Sequence, residues 1–115
     1  MTYMLLVVEP QGDRAERTPA EGQVLFERMA AWSEQLKARK LLVGVNSLKT
    51  EATRVAVRGG TSRATDGPFT ESKELIGGYF LIDCRTRAEA LELAQQCPAA
   101  QWATMEVREI GPCFE

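Results

Sequence analysis

The chain has 115 residues, 44% of them hydrophobic and 26% charged, with 14 basic and 16 acidic side chains and no histidine. That length is one domain, large enough to bury a core without metal or disulfide support. The missing histidine excludes a Ser-His-Asp or Cys-His catalytic unit, a histidine-ligated zinc or haem, and an imidazole proton shuttle near pH 7, and a net charge of −2 gives no basic excess for nucleic acid.

The three cysteines, Cys84, Cys97 and Cys113, are odd in number and widely spaced, which argues against a disulfide framework or a zinc knuckle. Reduced thiols fit the cytoplasm. The apolar opening Met1–Val8 is too short for a membrane span and lacks the features of a signal peptide.

In chain order, residues 3–8 read as a buried strand and residues 10–17 as a polar loop. Thr18-Pro19-Ala20-Glu21 opens a helix, with a capping threonine, proline at the first position and a glutamate to close a capping box. Leu25, Met29, Trp32 and Leu36 form its apolar stripe as far as about Lys40, expected to be a core face; Glu34 falls off that stripe, toward solvent. A strand is expected over 41–48. A hairpin over 53–58 and 61–65 turns at Gly59-Gly60, with Val55 and Val57 inward and Arg54 and Arg58 outward. A turn at Asp66-Gly67-Pro68 and the glycines Gly77-Gly78 precede a strand over 79–84, which places Tyr79, Leu81 and Asp83 on one face and Phe80, Ile82 and Cys84 on the other. Thr86-Arg87-Ala88-Glu89 reads as a second capping box. The helix it opens buries Ala90, Leu93, Ala94 and Cys97 and is stopped by Pro98. A last strand covers 102–110 with Met105 and Val107 inward, and Gly111–Glu115 is a tail.

This order, β-α-β, a hairpin excursion, then β-α-β, predicts an α+β protein of ferredoxin-like βαββαβ arrangement. It has one antiparallel sheet with both helices on one face. The other face keeps apolar residues (Tyr3 or Met4, Leu5 or Leu6, Phe80, Ile82), so pairing of two copies through that face into a homodimer is expected.

One segment carries identity. Asp66-Gly67-Pro68-Phe69, then Glu71, Lys73-Glu74 and Gly77-Gly78-Tyr79, resembles the signature of the YCII-related family, in the branch named for its Asp-Gly-Pro-Phe motif. The opening Tyr3-Met4-Leu5-Leu6 and the closing Val107-Arg108-Glu109-Ile110 are similar to the family's ends, so the resemblance covers essentially the whole chain. It implies a ferredoxin-like fold paired into a dimeric α/β barrel, within a superfamily of small-molecule isomerases, monooxygenases and dehalogenases. It also implies a setting beside extracytoplasmic-function sigma factors. The His-Asp pair of some relatives has no counterpart in a chain without histidine. Where the family often has glycine at the end of the first helix, Arg39-Lys40 stands here, so a bulkier residue must take the left-handed cap.

The candidate catalytic residues are Asp66, Glu71 and Lys73, since a carboxylate beside a lysine in a cleft can serve as a general base. Asp66 is suited above all to accept backbone N–H bonds in its own turn, and Glu71 and Lys73 to form a surface ion pair. Phe69, Glu74 and Tyr79 are candidate substrate contacts, with Phe69 alternatively a plug that anchors the loop in the core. Gly77 and Gly78 permit a bulge or close backbone approach. No cofactor motif is present, and no carboxylate spacing fits a metal loop. Two functions follow: a cofactor-independent lyase, isomerase or dehalogenase using a carboxylate of Asp66–Glu74, or a non-catalytic small-ligand-binding or regulatory dimer.

Overall fold

The computed structural model describes residues 1–114; Glu115, the last residue of the expected tail, lies outside them. The elements are β1 (Thr2–Pro10), a short α1 (Asp13–Glu16), α2 (Pro19–Ala38), β2 (Leu42–Ser47), β3 (Thr53–Arg58), β4 (Thr61–Asp66), β5 (Glu74–Asp83), α3 (Arg87–Gln96), a 3₁₀ turn (Pro98–Gln101) and β6 (Thr104–Glu109). Four strands form one antiparallel sheet in the order β2-β5-β1-β6, and β3-β4 form a separate two-stranded sheet. The architecture is α+β and consistent with a ferredoxin-like fold, the two central strands β1 and β5 having apolar neighbours on both sides.

The core lies between the sheet and the helices. Tyr3, Leu5 and Val7 of β1 and Phe80 and Ile82 of β5 meet Trp32 and Leu36 of α2 and Ala90, Leu93, Ala94 and Cys97 at α3. Small residues on α3 let it approach the strands closely. Phe80 and Ile82 therefore face the helices, not the uncovered side expected for them. The uncovered face carries Met4, Leu6 and Leu81, because Met4 pairs with Leu81 and Leu6 with Tyr79 in the β1–β5 register.

The α2 start forms as expected: Thr18 Oγ1 accepts from the Glu21 N–H at 3.1 Å and the Glu21 carboxylate accepts from the Thr18 N–H at 3.3 Å. At α3 only half a capping box forms. Thr86 Oγ1 accepts from the Glu89 N–H, but the Glu89 carboxylate reaches past it to the Arg85 N–H. The end of α2 is a Schellman motif, with Leu41 N–H bonded to Leu36 O and Lys40 N–H to Lys37 O. Lys40 takes the left-handed position at φ 59°. That conformation costs a Cβ-bearing residue about 1 kcal/mol.

The hairpin differs from expectation. Val55 is 67% and Val57 59% exposed, and every residue of β4 is exposed, because no helix or sheet lies against the β3–β4 pair. The molecule is accordingly flat, 47 × 42 × 18 Å, with a radius of gyration of 16.1 Å, against about 13 Å for a compact chain of this size. Gly77 and Gly78 lie inside β5 instead of preceding it, and the register slips opposite them between Val7 and Val8. A β-carbon on Gly78 would meet Asn46 O at 2.8 Å, so glycine allows β2 to close on β5 there.

Candidate functional site

The loop expected over 10–17 contains the short α1, entered through Gly12 at φ 96°, and this places Arg14 over the end of the sheet. Arg14 Nε lies 2.6 Å from Glu9 Oε1. Its Nη1 donates to Leu48 O at 2.6 Å and its Nη2 to Gly77 O at 2.9 Å and Glu9 Oε2 at 3.4 Å. One guanidinium thus ties together the end of β1, the bulge of β5 and the exit of β2. Glu9 is only 5% exposed, and the ion pair offsets the cost of burying its carboxylate. Oε1 is sealed from solvent and held by that ion-pair contact. Gly77 makes room for the pair: a β-carbon there would overlap the Glu9 carboxylate and approach Arg14 Nη2 to 2.7 Å.

Beside this pair opens a cleft of about 740 Å³ between the N-terminal half of α2 and the sheet. Leu25, Phe26 and Met29 of α2, Val7 and Phe80 of the sheet, and Trp102 supply its apolar lining; Glu9, Arg14, Arg17, Ser47 and Thr18 mark the polar end. The cleft exists because the α2 stripe is packed over only part of its length. Trp32 and Leu36 are buried, and Trp32 meets Phe80 edge-on with centroids 4.9 Å apart. Toward the N-terminus Leu25 and Met29 are half-buried and Phe26 is 61% exposed. Met29 closes the floor, its sulfur 3.9 Å from the Cys97 thiol. Burial raises the Cys97 thiol to about 11, so it stays protonated and unreactive at neutral pH.

The residues singled out from the sequence lie elsewhere, with one exception. Asp66 Oδ1 accepts from the Thr53 hydroxyl at 2.7 Å across the base of the hairpin, not from the N–H groups of its own turn. Glu71 pairs with Arg54 at 2.9 Å, both well exposed. The Arg54 guanidinium also covers the Phe69 ring at 3.6 Å, so Phe69 is stacked under an arginine at the surface and is not a core plug. Lys73 and Glu74 are exposed, and Lys73 contributes its carbonyl to Gln11 N–H. None of these five lines the cleft. Tyr79 does border it, although strand alternation turns its side chain to the uncovered face, where its hydroxyl accepts from Asn46 Nδ2 at 2.9 Å.

Sequence reasoning passed over Glu9, Arg14 and Arg17. The available signal was a carboxylate ending an apolar strand, followed across a glycine turn by arginines. Among the described residues no three Cys, Asp or Glu side chains converge as metal ligands, and no helix is long and apolar enough to cross a membrane.

The antiparallel sheet, its helices and the apolar cleft between them make this a small α+β protein with a helix–sheet pocket. The chain belongs to the YCII-related domain family, which matches residues 1–113. It is also similar to an uncharacterized protein of Rhizobium meliloti (strain 1021), 38% identical over 64 residues; the match covers 54% of this chain and 52% of that protein. The chain thus spans about half the length of this curated relative.

Proposed function

We propose that the chain binds a small, largely apolar molecule in the cleft between α2 and the sheet. The observation that carries this is the cleft itself: a volume that suits a drug-sized ligand, apolar walls, and a polar end marked by Glu9, Arg14 and Arg17. In this reading Asp66, Glu71 and Lys73 shape the hairpin base and take no part in chemistry. The test is a metabolite panel screened by melting temperature against the wild-type chain and Ala30→Phe, which fills the cleft from α2. Ligands that raise the wild-type melting point should leave the variant unmoved; ligands that shift both equally overturn the assignment.

A catalytic version is favoured by one feature, the Glu9 carboxylate at the polar end of the cleft. A carboxylate so held can take a proton from a bound substrate, as a cofactor-independent isomerase, lyase or dehalogenase requires. Glu9→Gln should then bind the substrate and fail to turn it over. Turnover that survives in Glu9→Gln overturns Glu9 as the base, whereas a wild-type chain that binds its ligand and leaves it unchanged fits a ligand-responsive regulator working beside a sigma factor.

The uncovered sheet face supports a homodimer of the barrel type. Met4, Leu6, Val8 and Leu81 give it apolar character, Ile76 adds to it at 48% exposure, and the flat shape leaves that face without a second layer. Leu81→Glu should convert a dimer to a monomer in sedimentation. Asp66-Gly67-Pro68-Phe69 supports membership of the branch named for that motif, and three free thiols support a cytoplasmic site.

A further inference from the structure

We infer that the ligand of this cleft is an amphiphilic anion, an apolar body carrying a carboxylate, sulfonate or phosphate, and that Arg17 reads its charge. The inference rests on the cleft being the binding site, as proposed above. Four charged residues line the cavity: Glu9, Arg14, Arg17 and Glu34. Glu9 and Arg14 neutralise each other, and the remaining Arg14 donors are taken by the carbonyls of Leu48 and Gly77. Glu34 is sixteen residues beyond Thr18 on the helix, about 24 Å away at 1.5 Å per residue. It therefore lies far from the polar end. Arg17 remains as the one cleft cation at that end with no carboxylate partner among the described residues.

Its setting favours an oxyanion. Arg17 is half-buried and immediately precedes Thr18, the N-cap of a helix of twenty residues; the Glu21 carboxylate on the Thr18 N–H offsets the helix dipole there, so the positive charge at this end is that of Arg17. The guanidinium fork matches the two oxygens of a carboxylate or the face of a sulfonate or phosphate. The apolar lining of Leu25, Phe26 and Met29 follows along α2, starting about 10 Å from Thr18 at 1.5 Å per residue. A ligand lying along α2 can place its body on those side chains and its head on Arg17 at once.

Two fluorescent probes with the same aromatic skeleton test this: neutral N-phenyl-1-naphthylamine and its sulfonate, 1-anilinonaphthalene-8-sulfonate. Both should brighten with the wild-type chain and both should be lost in Ala30→Phe. The sulfonate should bind about tenfold more tightly, the factor expected of one charge-assisted hydrogen bond. Arg17→Gln should remove that tenfold advantage and leave the neutral probe unchanged, Arg17→Lys should restore part of it, and Arg63→Gln on the exposed hairpin should alter neither. If the neutral probe binds in the cleft and the sulfonate has no advantage, or keeps it in Arg17→Gln, the anion assignment falls and the cleft stands. If the neutral probe does not bind, or binds Ala30→Phe equally well, the cleft assignment itself is wrong.

Discussion

The two halves of α2 repeat one apolar spacing and end in different environments. In the C-terminal half, Trp32 and Leu36 are sealed against Phe80 and the rest of the core. In the N-terminal half, Leu25 and Met29 line a cavity and Phe26 is largely exposed. The difference comes from what faces them. Opposite Trp32 the sheet presents large side chains. Along the cleft it presents the Glu9–Arg14 pair and the backbone of Gly77 and Gly78, which supply no apolar side chain. An amphipathic stripe thus states which side of a helix turns toward the sheet. Whether that side is packed or left as a wall of a cavity is decided by the partner surface.

The contrast breaks most sharply under truncation. Leu36→Ala should destabilise the fold by about 3 kcal/mol, a filled site losing its side chain. Leu25→Ala, at a wall already facing open space, should cost less than about 1 kcal/mol in the same denaturant titration. Equal losses would mean that both halves are packed.

The clamp at the open end comes next. Arg14→Met leaves the Glu9 carboxylate buried without its partner. The cost of breaking a buried pair, reduced because the Arg14 side chain is 34% exposed, should be about 2–3 kcal/mol. Adding Glu9→Gln should recover part of it, as a double-mutant cycle would show.

The packed floor beneath Met29 gives a pH signature. The Cys97 thiol is raised by burial from 9.0 to about 11. Its neutral form is favoured in the folded chain, so this stability is complete below pH 9 and is lost as the pH rises toward 11. The loss reaches about 3 kcal/mol, and Cys97→Ala should flatten that part of the stability–pH curve. The smallest effect lies outside both halves of the helix. Glu71→Gln breaks only an exposed ion pair, so it should change stability by less than about 1 kcal/mol and leave cleft binding unaffected.

Much of the fold was legible in the sequence, because it rests on local signals. The Thr18–Glu21 box, the Gly59-Gly60 turn and the alternation of Tyr79 to Cys84 all hold in the structure. Lys40 occupies the left-handed cap that the Arg39-Lys40 ending required. What failed depended on partners distant in sequence. Val55 and Val57 alternate as an inward face would, but among the described residues no helix or second sheet covers them. The candidate site was the least legible part. The segment richest in recognisable residues, Asp66–Glu74, ties itself together through Thr53 and Arg54 at the surface. The cleft is assembled instead by residues of β1, α1 and α2 whose convergence only the register and the β5 bulge bring about.

The methionines offer the most direct test of the cleft, because Met29 lines it while Met4 lies on the opposite face of the sheet and Met105 faces α3. With ¹³C-methyl labelling, titration of N-phenyl-1-naphthylamine should shift the Met29 resonance and leave Met4 and Met105 in place. A Met4 shift with Met29 unmoved would put the ligand on the uncovered sheet face and contradict the cleft.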